Sequence, residues 1–195
     1  MSKINIKFRK LERKDLESYF KWNHPSREFH KYNGPYFKKK SVEELRSRID
    51  GWNIQFSNGE DDLQGNVRLI VNAGNDDLIG EVSWYWKSEE TSWLEVGIII
   101  FNENYWGYGI GYEALVLWID RIFNEKPELV RVGLTTWSGN ERMMKLSEKI
   151  GLKKEAVYRK ARIVNGEYYD SVSYGILREE WMDNFIKHEK VSINV

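Results

Sequence analysis

The stretch IIIFNENYWGYGIGYEAL, residues 98–115, constrains the fold more than any other part of the chain. A run of β-branched residues leads into three alternating glycines, Gly107, Gly109 and Gly111, and then into a helix-like segment. Alternate glycines remove the Cβ atoms that would keep a ligand away from the backbone. A strand, a glycine loop and a helix N-terminus together present unpaired N–H groups and the positive end of a helix dipole to an anion. The stretch therefore predicts a phosphate cradle in the middle of the chain.

Composition narrows the choice of partner. A chain of 195 residues is long enough for one domain with a substantial core, and residues 1–195 are read as a single domain. Its 30 basic and 30 acidic residues balance, and Lys38–Lys40 is the longest basic run. The concentrated basic footprint of a nucleic-acid binder is missing. Without cysteine there is no disulfide, thiolate nucleophile or Cys-ligated metal, and His24, His30 and His188 lack metal-ligand spacing. No metal is expected. No apolar run reaches the roughly 18 residues that span a bilayer. The opening MSKINIKF has no apolar signal region. The expectation is a cytoplasmic protein with neither membrane nor nucleic-acid partners.

Periodicity gives the order of elements. Ile4, Ile6 and Phe8 alternate with polar residues as in a half-buried strand, and residues 14–22 read as a helix. Ser41 with Glu44 forms a capping box that opens a helix. NVRLIVN and LIGEVSWYW read as strands around the turn-forming AGNDD, and SWLEVGIIIF as a further, central strand. Ala114, Leu115, Leu117, Trp118, Ile122 and Phe123 make a helical stripe after the glycines. LVRVGLTTW is a strand, and NERMMKLSEKIGL is a helix with Asn140 at its start and Gly151 at its end. Asn165-Gly166 marks a hairpin, and REEWMDNFIKHEK a last helix. The plan is α+β or mixed α/β around one sheet.

Two ligands fit the glycines. Gly109-Ile110-Gly111-Tyr112-Glu113-Ala114 matches G-x-G-x-x-A, the dinucleotide fingerprint, but that motif belongs to the first βαβ unit of a parallel sheet, whereas this loop follows a meander. A Walker-type loop is excluded, since no glycine precedes Lys-Ser or Lys-Thr. YWGYGIGYEAL instead resembles the pyrophosphate loop of the GNAT superfamily of acyl-CoA N-acyltransferases, Gln/Arg-x-x-Gly-x-Gly/Ala. Gly109 and Gly111 hold the glycine positions, and Trp106 replaces Gln/Arg. WSGNERMMKLSEKIGLKKEA is similar to the family's Asn-initiated helix. RKARIVNGEYYDSVSYGILREEW and FRKLERKDLESYFKW resemble the ribosomal-protein-alanine N-acetyltransferase branch.

That resemblance implies a GNAT-like fold: a mixed, bent central sheet with a splayed strand pair, flanked by helices. It also implies acetyl-CoA as co-substrate. Ile99, Ile100 and Phe101 would meet the pantetheine arm, with a backbone N–H near Ile99 or Ile100 polarising the thioester carbonyl. Trp106, Gly107, Tyr108, Gly109, Ile110 and Gly111 would hold the phosphates. Asn140 would touch the pantetheine arm, cap its helix, or both. Many relatives place a tyrosine where this chain has Ser147. Its hydroxyl can relay a proton to the leaving thiolate, or simply bond its own helix backbone. For a base the resemblance ranks Glu95 first, Glu81 second and Asp170 third. Direct attack of the amine is favoured over an acyl-enzyme, because no cysteine or Ser-His-Asp signature is present.

The acceptor is the open question. Trp22, Phe29, Tyr32, Tyr36, Trp52, Trp84 and Tyr168 are candidate wall residues. A protein or peptide N-terminal amine fits such walls, and so does a polyamine or aminoglycoside amine. A non-catalytic CoA-binding module is a third reading. Family and aromatic content point to a homodimer.

Overall fold

The computed structural model describes residues 4–183. In chain order they form β1 (Ile6–Arg9), α1 (Leu16–Asn23), α2 (Val42–Ser57), β2 (Val67–Asn72), β3 (Leu78–Ser88), β4 (Trp93–Ile100), α3 (Ile110–Glu125), β5 (Arg131–Trp137), α4 (Glu141–Lys149), β6 (Lys153–Val164) and β7 (Glu167–Leu177). Residues 178–183 are helical, and the remainder of the expected last helix lies outside the described residues. The strands follow the order β1-β2-β3-β4-β5-β7-β6 in a seven-stranded sheet. The pair β4–β5 is parallel, while β1–β2, β2–β3, β5–β7 and β6–β7 are antiparallel. The mixed sheet expected from the resemblance is the one found. Two compact units divide the chain, Met1–Ser83 with Gly97–Leu115, and Trp84–Val96 with Val116–Val195.

In the first unit, the capping box opens α2 as its sequence requires. Ser41 Oγ accepts from the Glu44 N–H at 3.1 Å, and the Glu44 carboxylate accepts from the Ser41 N–H at 2.6 Å. One face of α2 then buries Leu45, Ile49 and Trp52, the helical spacing of a core stripe. Ile49 and Trp52 join Leu16 and Tyr19 of α1, Leu69 and Val71 of β2, Leu78 of β3 and Phe101 in one core. Arg9 ties the entrance of this unit together. Its guanidinium bonds Asp15 at 2.5 and 2.8 Å and Asp76 at 3.0 Å. Asp76 sits at φ 62° in the β2–β3 turn. Bonds from Lys14, Lys7 and Arg9 hold its carboxyl well below the usual range.

In the second unit, β5 runs beside β7 and β7 beside β6. The β6–β7 turn has Asn165 at φ 51° and Gly166 at φ 85°, the two left-handed residues of a type I′ hairpin. The end of α3 is closed from a distance. Arg178 donates to the carbonyls of Phe123 (3.0 Å), Lys126 (2.7 Å) and Leu129 (2.7 Å). The Phe123 carbonyl belongs to the last turn of α3, where a helix leaves carbonyls without partners, and a cation there also suits the dipole. No helix among the described residues is long and apolar enough to cross a membrane.

Replacing Arg178 by Met keeps the stem and removes the charged donors. Stability should fall by about 2 kcal/mol or more, a melting-temperature drop of roughly 4–8 °C for a chain of this size. A scanning calorimetry trace unchanged within 1 °C, on the order of the smallest shift resolvable, would contradict this account of the α3 terminus.

Candidate active site

The first unit holds the glycine loop, and the path of β4 into it is set by a close approach. A Cβ on Gly80 of β3 would overlap the carbonyl oxygen of Ile99 on β4. Only glycine leaves room for that carbonyl. Beyond it, Phe101 is fully buried, and Asn102 turns back onto β3. The Asn102 N–H donates to the Ile79 carbonyl at 3.0 Å, and its side-chain amide donates to the Leu78 carbonyl at 3.1 Å. A 3-10 turn over Glu103–Tyr105 follows.

Trp106, where the family pattern has Gln or Arg, takes a backbone role. Its indole N–H donates to the Ile100 carbonyl at 2.8 Å, fastening the loop to the last residue of β4. Gly107 has φ 85° and Gly109 φ 77°, whereas Tyr108 between them stays on the negative side. Such alternation makes a concave nest of N–H groups. A Cβ at Gly107 or Gly109 would meet nothing within 4 Å, so these glycines serve conformation and access rather than packing. The Gly109 carbonyl accepts from Tyr112 N at 3.0 Å and Glu113 N at 3.1 Å, which starts α3. The N–H groups of Ile110 and Gly111 fall in the first turn, where a helix has no acceptor for them. Ile110 itself is buried, and Tyr108 is exposed. Gly107 and Gly109 thus lead straight into the first turn of α3.

Glu81, next to Gly80, is half-buried on β3. Its carboxylate accepts from the Tyr19 hydroxyl at 2.9 Å. Burial raises its pKa, against the opposing pull of that hydroxyl and of the charges on Arg48 and Lys40. Tyr19 was invisible as a polar residue in the sequence, because it lies on the apolar stripe of α1.

The second unit holds Glu95, Asn140 and Ser147. Glu95 is 2% exposed, yet both its oxygens are engaged. Thr135 donates to Oε1 at 2.9 Å, Tyr85 donates to Oε2, and Lys87 lies 3.6 Å from Oε1. Glu95 also stands at the end of the β4–β5 ladder, which is confined to the pairs Leu94–Val132 and Glu95–Gly133. Asn140 and Ser147 both bond the backbone of Met143. Asn140 Oδ1 accepts from the Met143 N–H at 3.1 Å, and the fully buried Ser147 donates to the Met143 carbonyl at 2.8 Å. Asp170 accepts from the Lys160 N–H at 2.9 Å, which holds the irregular turn of β6 where Lys160 has φ 55°. Of the expected wall residues, Phe29 and Trp52 are core, while Tyr168 is 61% exposed. Among the described residues, no cluster of His, Asp and Glu is arranged to hold a metal ion.

Comparison with known proteins gives this geometry a context. Residues 5–153 match the family model described as acetyltransferase (GNAT) domain. The Bacillus subtilis (strain 168) protein named "Putative ribosomal N-acetyltransferase YdaF" is 32% identical over 133 residues, 68% of each chain. Across the curated relatives it matches, the chain spans 63–68% of their length. The structure of a GNAT-family acetyltransferase from Bacillus anthracis superposes with a TM-score of 0.72 at 23% identity, covering 92% of this chain and 99% of that one. A spermidine N-acetyltransferase from Vibrio cholerae, solved with CoA and spermine, gives a TM-score of 0.70 at 23% identity, with 91% and 98% covered. At that identity these two structures speak to the fold.

The indole bond of Trp106 can be tested alone. Trp106→Phe keeps a ring but removes the donor to Ile100, and should cost about 0.5–1.5 kcal/mol in urea unfolding. A change within the error of the midpoint would show that ring packing alone seats the loop.

Proposed function

Because this chain belongs to the acetyltransferase (GNAT) domain family, we propose that it transfers an acetyl group from acetyl-CoA to a primary amine. The observation that carries this reading is the glycine nest of Gly107–Gly109 running directly into the first turn of α3. Those N–H groups suit the pyrophosphate of CoA by the same physics that places phosphates at helix N-termini. The family match over residues 5–153 and the continuous run of elements support one acetyltransferase domain over the chain.

The chemistry follows from the residues at hand. The amine nitrogen attacks the thioester carbon directly, since the chain has no cysteine to carry an acyl group. A backbone N–H at the end of β4, near Ile99 or Ile100, polarises the carbonyl as an oxyanion donor. The leaving thiolate takes a proton through Ser147, whose hydroxyl is restored by the proton that the attacking nitrogen sheds. To do so, the Ser147 hydroxyl turns from the Met143 carbonyl to the sulfur, an exchange of one hydrogen bond for another. Asn140 holds the Met143 N–H and so fixes the turn on which Ser147 depends. Glu95, Glu81 and Asp170 are the carboxylates proposed as base, and Glu95 has both its oxygens engaged by Thr135 and Tyr85 at the end of the β4–β5 ladder.

The acceptor we favour is a protein or peptide N-terminal amine, in keeping with the YdaF similarity. A polyamine is the second reading, supported by the fold likeness to the spermidine N-acetyltransferase.

Acetyl-CoA at a hundred times its Kd should stabilise the protein by roughly 2.7 kcal/mol, a rise of a few degrees in melting temperature, and NADH should not. A rise with NADH alone overturns the reading. Ser147→Ala should lower kcat by about tenfold or more while leaving the acetyl-CoA melt shift in place. An unchanged kcat removes Ser147 from the proton path.

A further inference from the structure

Glu103 stands four residues ahead of Gly107, and no other charged side chain lies between it and Glu113. A carboxylate that near an anion-accepting nest opposes the anion. The structure gives it a different task. Glu103 Oε1 accepts the Glu28 N–H at 2.9 Å, and Oε2 lies 3.5 Å from Arg27 Nη1. Glu28 opens a short 3-10 turn, Glu28–Lys31, whose N-cap residue Arg27 supplies no side-chain bond of its own. The first N–H groups of such a turn need an outside acceptor, and Glu103 provides one from 75 residues away. The neighbouring contacts run in step. Phe29 packs on Phe101 at 6.2 Å between ring centroids, and Tyr32 meets Trp106 edge-on at 6.2 Å. Residues 27–32 therefore lie along residues 101–106, the lead-in to the nest.

We propose that Glu103 is a positioning residue that couples the glycine nest to residues 27–32, so that acetyl-CoA bound at the nest fixes the acceptor side. This rests on the acetyl-transfer reading above and adds how its two substrates are brought into register. The link is stiff at each step. Asn102 Oδ1 accepts the Asn104 N–H at 3.2 Å, the Tyr105 hydroxyl donates to Asp77 at 3.1 Å, and Trp106 holds the Ile100 carbonyl. A ligand that orders the nest therefore orders the turn that carries Glu103. On the far side, Arg27 stacks 4.5 Å from the Trp22 ring. Trp22 and Tyr32, both candidate walls for the acceptor, thus move with the segment that Glu103 holds. The Arg27 and Glu103 side chains are 27% and 29% exposed, which limits screening of their pair. By linkage, an amine seated on these walls tightens acetyl-CoA by the same factor that acetyl-CoA tightens the amine.

The charge sets signs that a packing role would not. Glu103→Gln keeps an oxygen for the Glu28 N–H but loses the attraction for Arg27 and the repulsion of phosphate. Glu103→Ala loses all of these. Neither should weaken acetyl-CoA binding, though both should loosen residues 27–32, Glu103→Ala more than Glu103→Gln.

Hydrogen exchange of the whole protein, read over residues 24–33 with and without saturating acetyl-CoA, is the test. In the wild type acetyl-CoA should slow exchange there by about fivefold or more. Glu103→Ala should abolish that slowing while its acetyl-CoA melt shift stays at least as large as in the wild type, and Glu103→Gln should restore part of it. Thiol release with the tripeptide Ser-Ala-Ala and with spermidine gives the kinetic arm. KM for the amine that turns over should rise about fivefold or more in Glu103→Ala, with KM for acetyl-CoA unchanged. Exchange in the wild type that ignores bound acetyl-CoA overturns the coupling. A smaller melt shift in the variants assigns Glu103 to the nest alone and also overturns it; in both cases the acetyl-transfer reading stands. An amine KM that does not move, or turnover of neither amine, overturns the acceptor role. If Glu103→Ala fails to fold, Glu103→Gln carries the same outcomes at reduced size. A wild type that gains no stability from acetyl-CoA overturns the acetyl-transfer reading and this proposal with it.

Discussion

The Ile99 carbonyl occupies the space that any side chain at position 80 would need, and much of the first unit follows from that approach. Two neighbouring strands can bring backbone atoms this near only where one of them lacks a Cβ. The β2–β3 register shifts at Ile70/Val71, so Ile79 falls at an irregular place in the ladder. The Ile79 carbonyl is then available to Asn102, which turns the chain out of β4. Trp106 closes the same corner by its bond to the Ile100 carbonyl. A bulged strand, a buried asparagine and an indole therefore act together, and the glycine nest sits at a fixed place because of them. Irregular strands near reactive groups are a common way to aim backbone donors away from the ladder.

Local features of this arrangement were legible in the sequence. The Ser41–Glu44 box opens α2, Asn165-Gly166 turns the β6–β7 hairpin, and Asn140 caps α4, each by bonds within three residues. The glycine loop too was readable, because Gly107 and Gly109 need their left-handed φ whatever surrounds them. What could not be read are contacts that depend on folding. Tyr19 and Glu81 are 62 residues apart, and Thr135 and Glu95 are 40 apart. Nothing in LESYF distinguishes a tyrosine that fills a core from one that also holds a carboxylate. Gly80, in LIGEV, reads as a weak strand residue until the opposing carbonyl is known. Arg178 looks like an ordinary surface charge at the start of a helix, yet its guanidinium closes the end of another helix far upstream.

Trp106 illustrates how a departure from a motif can keep its effect. A polar side chain at that position would contribute its own group to the anion site. The indole instead spends its only donor on the Ile100 carbonyl and packs its ring beside Tyr32, 6.2 Å between centroids. The loop gains an anchor to the last residue of β4. For a nest made of backbone N–H groups, that exchange is acceptable, since preorganisation of donors counts for as much as their number.

The carboxylates of Glu95 and Glu81 sit in different polar surroundings. Glu95 is buried, and two hydroxyls and an ammonium meet its oxygens. Glu81 has one hydroxyl on one oxygen, and burial already favours its neutral form. A proton delivered there relieves desolvation instead of breaking a network. The same reasoning sets the sign of its effect on folding. Because its folded-state pKa lies above the unfolded one, ionised Glu81 destabilises the fold at neutral pH, and stability recovers as pH falls through the raised value.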